Sequence, residues 1–284
     1  MELRDIAKAS DGVELAVTRY PAEGTAWATM LVAGAMGVRQ DFYEPFARHL
    51  AMQGIHVLTF DWRGMGASAP ARLRGFEADL VTWAERDLDA MLRESRRAAP
   101  GLPAFALGHS LGGQLFGAAA ESARLAGIVT VTAGVGWYRH NDRMPCRVRF
   151  FWFVALPLLT ALFGYFPGKR LRMVGDLPAG VAWQWRHWST RPEYVLAEGP
   201  AMRARYDALR VPIMGWSFED DAIITKPAVD DLHGFYRHAA VERRHVAPRE
   251  RGRERIGHFG YFLPPSRADL WAETIAWLRA RVAG

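Results

Sequence analysis

Apolar and polar positions alternate through residues 2–20 on either side of Asp11-Gly12, the pattern of two half-buried strands joined by a tight turn. The run 27–33 (WATMLVA) is apolar throughout and stops at Gly34, as expected of a strand covered on both faces. Phe42, Phe46, Leu50 and Ala51 then recur at helical spacing, Gly54 ends that helix, and 55–60 (IHVLTF) supplies the next buried strand. Strand, helix, strand in this order predicts a parallel crossover.

A second amphipathic helix is expected over 79–97, from the spacing of Leu80, Trp83, Leu88, Met91 and Leu92, with Pro100-Gly101 as its stop. A strand at 104–107 runs straight into Gly108-His109-Ser110-Leu111-Gly112, with a helix predicted over 113–125 and a strand over 128–131. The alternation resumes with a strand at 211–216, a helix at 226–238, a strand at 240–246 and a final helix at 267–282. Between the two halves lies a stretch richer in Trp and Phe. The pattern therefore predicts an α/β core, a mostly parallel central sheet flanked by helices, over 1–133 and 207–284. Residues 134–206 are expected to form a helical cap, or lid, inserted into it.

Segment 108–112 reads Gly-x-Ser-x-Gly between a strand and a helix, the setting that gives this pattern meaning. A serine on so sharp a turn takes a strained backbone conformation, and neighbours without a Cβ let strand and helix approach. Ser110 is thereby lifted off the sheet edge at a helix N-terminus, where the Leu111 N–H can hold a developing oxyanion. A serine hydroxyl needs a base, and the base an orienting acid, here in the chain order serine, acid, histidine. His258, in the glycine-flanked loop Ile256-Gly257-His258-Phe259-Gly260 between the last strand and the final helix, is the candidate base. His109 on the turn, and His187, His233, His238 and His245 on predicted helices and strands, read as structural. Beyond the strand at 211–216, Glu219-Asp220-Asp221 offers three carboxylates; the apolar pair Ile223-Ile224 selects Asp221, with Asp220 the alternative. The turn Ala33-Gly34-Ala35-Met36-Gly37 offers the second oxyanion N–H, from Ala35 or alternatively Met36.

With these groups in this order the chain resembles an α/β-hydrolase of the serine aminopeptidase and monoglyceride-lipase-like branch. Asp61-Trp62-Arg63-Gly64-Met65-Gly66-Ala67-Ser68 is similar to the Asp-x-Arg-Gly-x-Gly-x-Ser segment that follows the fourth strand in many such proteins, where it is structural. The chain departs from the pattern at Ala33, which stands where a histidine is usual. The resemblance covers about 27–131 and 207–282 and leaves the insertion outside. It implies a serine hydrolase that cleaves a hydrophobic carboxylic ester through an acyl-enzyme on Ser110, carboxylesterase-like or lipase-like. Ser110, Asp221 and His258 would be catalytic, Leu111 and Ala35 would form the oxyanion hole, and no metal or organic cofactor is implied. Thioesterase, peptidase and acyltransferase chemistry use the same residues; outside enzymes, the rival is a lipid-binding protein that kept the fold.

Composition narrows the picture a little further. Half the residues are hydrophobic and 23% charged, enough apolar material for a large core. The net charge of +6 comes almost entirely from scattered arginines, and neither a helix-turn-helix nor zinc-ligand spacing accompanies it, so no nucleic-acid partner is expected. Cys146 is the sole cysteine and the N-terminal stretch lacks a basic-then-apolar leader, both pointing to a cytoplasmic protein.

Residues 150–167 (FFWFVALPLLTALFGYFP) carry no charge and are long enough to cross a bilayer, with Arg147, Arg149, Lys169, Arg170 and Arg172 on the flanks. A single crossing would leave Ser110 on one side and Asp221 with His258 on the other, so a span is rejected. The expectation is instead a pair of cap helices, broken at Pro157 and Gly164, covering the site as an apolar lid, with peripheral membrane contact as the second reading. Trp183, Trp185, Trp188, Trp137 and Tyr138 add aromatic surface to the insertion, which favours a small hydrophobic ester-like substrate.

Overall fold

The computed structural model describes residues 2–141, 145–171 and 173–282. The expected hairpin forms from β1 (Leu3–Lys8) and β2 (Glu14–Tyr20), followed by β3 (Ala28–Ala33), β4 (Ile55–Phe60), β5 (Ala104–His109) and β6 (Gly127–Val131). Two short pieces, β7 (Tyr165–Phe166) and β8 (Leu177–Pro178), pair within the insertion, and β9 (Ile213–Phe218) and β10 (Val241–Val246) complete the main sheet. Its order is β1-β2-β4-β3-β5-β6-β9-β10. β2 pairs antiparallel with β1 and with β4, and every pairing from β4 to β10 is parallel. The expected α/β class, a mostly parallel sheet flanked by helices, is the one that forms.

The alternation of side chains along a strand divides the core in two. Leu31, Ala33, Leu58 and Phe60 point to one face, into a cluster that also holds Trp62, Trp83 and Leu111. Met30, Val32, Val57 and Leu107 point to the other, against Tyr43, Phe46, Trp271 and Leu278. Charges such as Arg4 and Lys8 on β1 and Glu242, Arg243 and Arg244 on β10 sit on the two outermost strands, where they discourage edge-to-edge pairing. The Asp61–Ser68 segment is a brace: Arg63 Nε donates to Asp87 (2.7 Å), Arg63 Nη1 to Asp11 (2.7 Å), and Asp61 accepts the N–H groups of Gln40 and Ala67 (both 2.8 Å).

The insertion joins the first core face. Trp152, Leu156, Phe166, Leu177, Val181, Trp188 and Tyr194 are buried in the same cluster as Leu31 and Leu58. Burying an aromatic side chain of this size stabilises by roughly 2–3 kcal/mol, so the insertion is built into the fold rather than draped on it. Its last helix, Pro200–Ala208, straddles the expected boundary at 206.

Two local expectations are corrected. The helix predicted over 113–125 is short, Leu111–Gln114, and gives way to a turn and a tight helix at Ala120–Arg124. Tyr206 explains the break: its hydroxyl donates to the Gln114 carbonyl, and its ring lies where a Cβ on Gly117 would be, 2.3 Å away. The helix expected to cap the site, by contrast, does not break at Pro157; Pro145–Phe163 is continuous. A wide π turn at Phe151–Ala155, just before the proline, accommodates the N–H that Pro157 lacks. The helix does stop at Gly164, which takes a left-handed conformation (φ 73°), and Arg74 donates to the Phe163 and Leu162 carbonyls left open there. Of the flanking cations, Arg172 lies outside the described residues.

Candidate active site

The site begins at the end of β5. Ser110 has φ 52° and ψ −117°, a conformation a residue with a Cβ adopts only under constraint. The constraint is visible on both sides: Ser110 N–H donates to the Val131 carbonyl on β6 (2.9 Å), and the Ser110 carbonyl accepts from Gly113 N–H (3.0 Å). A Cβ on Gly112 would sit 2.2 Å from the Ala33 carbonyl oxygen and one on Gly108 2.4 Å from Gly113, so strand and helix meet here only through glycine. Leu111 N–H, at the start of the short helix, has no hydrogen-bond partner among the described residues.

His258 and Asp221 meet from two other loops. His258 Nδ1 donates to Asp221 Oδ2 at 2.8 Å, and both side chains are buried. The other carboxylate oxygen of Asp221 accepts the backbone N–H groups of Ile223 (2.7 Å) and Ile224 (3.0 Å), which aim it. With its proton on Nδ1, a neutral imidazole carries its lone pair on Nε2. Asp220, the alternative acid, faces elsewhere: its two oxygens accept Ile256 N–H (2.9 Å) and Gly257 N–H (3.0 Å), gripping the loop that carries His258.

His109, read from sequence as structural, is the hub of this arrangement. It is completely buried, its Nε2 lies 3.0 Å from the His258 carbonyl oxygen, and its Nδ1 lies 2.8 Å from Tyr43 Oη. A carbonyl can only accept, so Nε2 carries the proton and Nδ1 accepts from the tyrosine. Burial, and His258 beside it, push the His109 pKa well below the ordinary histidine value, consistent with this neutral tautomer. Tyr43 Oη in turn accepts Ala35 N–H at 2.8 Å. One chain of hydrogen bonds thus runs from the turn after β3, through Tyr43 and the residue before Ser110, to the backbone of His258. Thr132, with φ 47°, donates its hydroxyl chiefly to the Val131 carbonyl (2.8 Å), its oxygen lying 3.3 Å from the same His258 carbonyl oxygen.

This chain occupies the N–H expected to serve as the second oxyanion donor. Ala35 N–H is engaged by Tyr43, whereas Met36 N–H, the alternative, has no partner among the described residues. No hydrogen bond joins Ser110 Oγ to His258; both the hydroxyl and Nε2 lack hydrogen-bond partners among the described residues. The rings of His109 and His258 are 5.1 Å apart, so the imidazole packs on the residue adjoining the serine. Tyr43 and Thr132 were not legible as site residues, and Asp220 was legible only as the alternative acid, not as the clamp on the 256–257 backbone; positive φ at 132 and the acceptor geometry of 43 and 220 are properties of the folded chain. Among the described residues no cluster of metal-ligating side chains occurs. A groove of about 560 Å³ lined by Arg93, Arg96, Arg97 and Arg124 lies at the amino ends of β5 and β6, the opposite end of the sheet from Ser110.

Comparison with known proteins agrees with this architecture. No curated protein sequence matches the chain. A soluble variant of monoglyceride lipase from Saccharomyces cerevisiae, in complex with a substrate analogue, has a similar structure, with a TM-score of 0.68 at 16% identity over 98% of this chain and 95% of that one. A thermostable carboxyl esterase from Bacillus coagulans gives 0.66 at 15% identity, over 99% of each chain. An esterase of Pyrococcus furiosus gives 0.63 at 13%, over 99% of this chain and 91% of that one. At such identities these likenesses speak to the fold. Residues 25–173, just over half of the 284, match the family described as serine aminopeptidase, S33. The chain therefore belongs to the serine aminopeptidase, S33, family of the α/β-hydrolase superfamily.

Proposed function

We propose that this protein is a serine hydrolase that cleaves a hydrophobic carboxylic ester by way of an acyl-enzyme on Ser110. The observation that carries the reading is the His258–Asp221 pair, 2.8 Å apart and buried, packed against the strained serine turn, with the Leu111 N–H there and the Met36 N–H on the turn after β3 both unengaged among the described residues. Family membership supports a hydrolase of this general kind.

In the first half-reaction Ser110 Oγ attacks the ester carbonyl carbon while His258 Nε2 takes the hydroxyl proton. The carbonyl π pair moves onto oxygen, where Leu111 and Met36 N–H groups hold the charge. Collapse of the tetrahedral species breaks the bond to the alkoxide, which leaves with the proton from His258. Water then gives a proton to Nε2 and attacks the acyl carbon. The second collapse expels Ser110 Oγ, which regains its proton, and releases the carboxylic acid. Asp221 keeps the imidazole in the required tautomer throughout and stabilises the imidazolium. Formation of the Ser110–His258 bond belongs to the substrate-bound state, since catalytic hydrogen bonds often tighten only there. The aromatic insertion acts as a cap over an acyl-binding pocket.

Ser110→Ala tests this directly. Turnover of a short p-nitrophenyl ester should fall by at least about a thousandfold, with the melting temperature and circular dichroism of the wild type retained. Undiminished turnover would refute the assignment.

A further inference from the structure

The helix Pro145–Phe163 carries two opposed stripes four residues apart. Trp152, Leu156 and Thr160 are buried, with Val148 half-buried in line with them. On the other side Phe150, Val154, Leu158 and Leu162 project outward at 61, 44, 63 and 65% exposure, with Phe153 beside them. A surface helix normally turns polar residues to water; here the outward stripe from Phe150 to Leu162 is apolar along its whole length, about 18 Å at the usual helical rise. Isolated exposed apolar residues need no explanation, whereas a continuous stripe of them marks an interaction surface.

Charge identifies the occupant. No Asp or Glu occurs from 143 to 175, while exposed Arg147 and Arg149 stand at one end of the stripe and exposed Lys169 and Arg170 just beyond the other. The Arg170 guanidinium lies over the Phe163 ring at 5.3 Å and that of Arg186 over Phe153 at 5.7 Å, so cations also border the apolar stripe along its length. Pairing with a second copy, parallel or antiparallel, would set cationic ends against cationic ends. A bilayer crossing is also excluded: β6 precedes the helix, β9 follows it, and the two are hydrogen-bonded neighbours, Ile128 opposite Ile213. We propose that this face docks in the plane of an anionic lipid bilayer, the apolar stripe among the acyl chains and the flanking cations on the headgroups. The segment after the helix packs on the turn beside the site, Gly175 N lying 2.4 Å from where a Gly37 Cβ would be. Delivery of a bilayer lipid to Ser110 would rest on the hydrolase reading; docking itself does not.

Vesicle flotation tests it, using phosphatidylcholine alone and phosphatidylcholine mixed with phosphatidylglycerol. The wild type should float with the mixed vesicles about tenfold or more better than with phosphatidylcholine, and release as salt is added. Leu158→Glu with Leu162→Glu should abolish flotation while cleaving a short dissolved ester at the wild-type rate; Arg149→Glu with Lys169→Glu should abolish the preference for phosphatidylglycerol. Wild-type protein that stays in the soluble fraction overturns the proposal, as does a Leu158→Glu, Leu162→Glu protein that floats as well as wild type. Lipid-free dimers that the same leucine changes dissolve would overturn it in favour of a second copy. An ester that even the wild type fails to cleave counts against the hydrolase reading and leaves the flotation result to stand.

Discussion

Tyr43 shows how much of the site's geometry hangs on a residue outside the reacting groups. Its hydroxyl accepts from Ala35 N–H and donates to His109, which donates to the His258 carbonyl, so one oxygen links the turn after β3 to the loop that carries His258. Tyr43→Phe keeps the ring, which packs on Phe262 at 4.9 Å, and removes only that oxygen. Two buried groups lose their partner, and a loss of about 1–3 kcal/mol in stability is expected. Freed from Tyr43, the 34–37 turn should hold Met36 N–H less well, lowering kcat by about tenfold or more with little change in KM. Steady-state kinetics with a short ester checks this; a change confined to KM would contradict the role given to the turn. Ser110, His258 and Asp221 could be proposed from residue type and order, because a serine nucleophile needs a base and a base an acid. That Ala35 N–H is engaged and Met36 N–H is left open was not readable, since it depends on which N–H the Tyr43 hydroxyl reaches.

At the scale of elements, the loops after β9 and β10 act as one unit through the adjacent pair Asp220 and Asp221. Asp221 orients the imidazole, and Asp220 ties the loop after β9 to Ile256 and Gly257 next to it. The two isosteric changes should separate these duties. Asp221→Asn should cost on the order of 10⁴ in kcat by favouring the wrong tautomer. Asp220→Asn exchanges an acceptor for a donor facing a backbone N–H, and should instead lower the melting temperature by a few degrees with about a tenfold loss of activity. A larger kinetic loss at Asp220 than at Asp221 would reverse the assignment. The sheet elements were legible because buried parallel strands read as short apolar runs with glycine at their ends. The helix after Ser110 and the unbroken helix Pro145–Phe163 were not. Tertiary contacts from Tyr206 shorten the one, and a π turn absorbs Pro157 in the other, and neither leaves a periodic signal.

Across the whole molecule, two buried histidines make stability depend on pH. His233, 2.9 Å from Thr130 Oγ1, has its pKa pushed down to about 4 by burial and by nearby Arg243, and His109 is likewise held neutral by burial. Unfolded, each has the ordinary value near 6.5. Below that value the unfolded chain binds more protons than the folded one, so stability is full above about pH 6.5 and is lost as pH falls towards 4. At about pH 5, His233 alone should account for a loss of about 2 kcal/mol. Urea unfolding of wild type and His233→Gln at neutral pH and near pH 5 measures it, and the variant should show the shallower pH dependence; parallel curves would show that His233 is not held neutral. The first core face also binds the insertion to the sheet, through Trp152, Trp188 and Tyr194.

The most direct test of the hydrolase reading is the covalent state of Ser110 after exposure of the folded protein to a fluorophosphonate probe, read by mass spectrometry. The account predicts one adduct, on Ser110, absent from Ser110→Ala and formed far more slowly in His258→Ala. Folded protein that stays unlabelled, or an adduct on another residue with Ser110 intact, would contradict it.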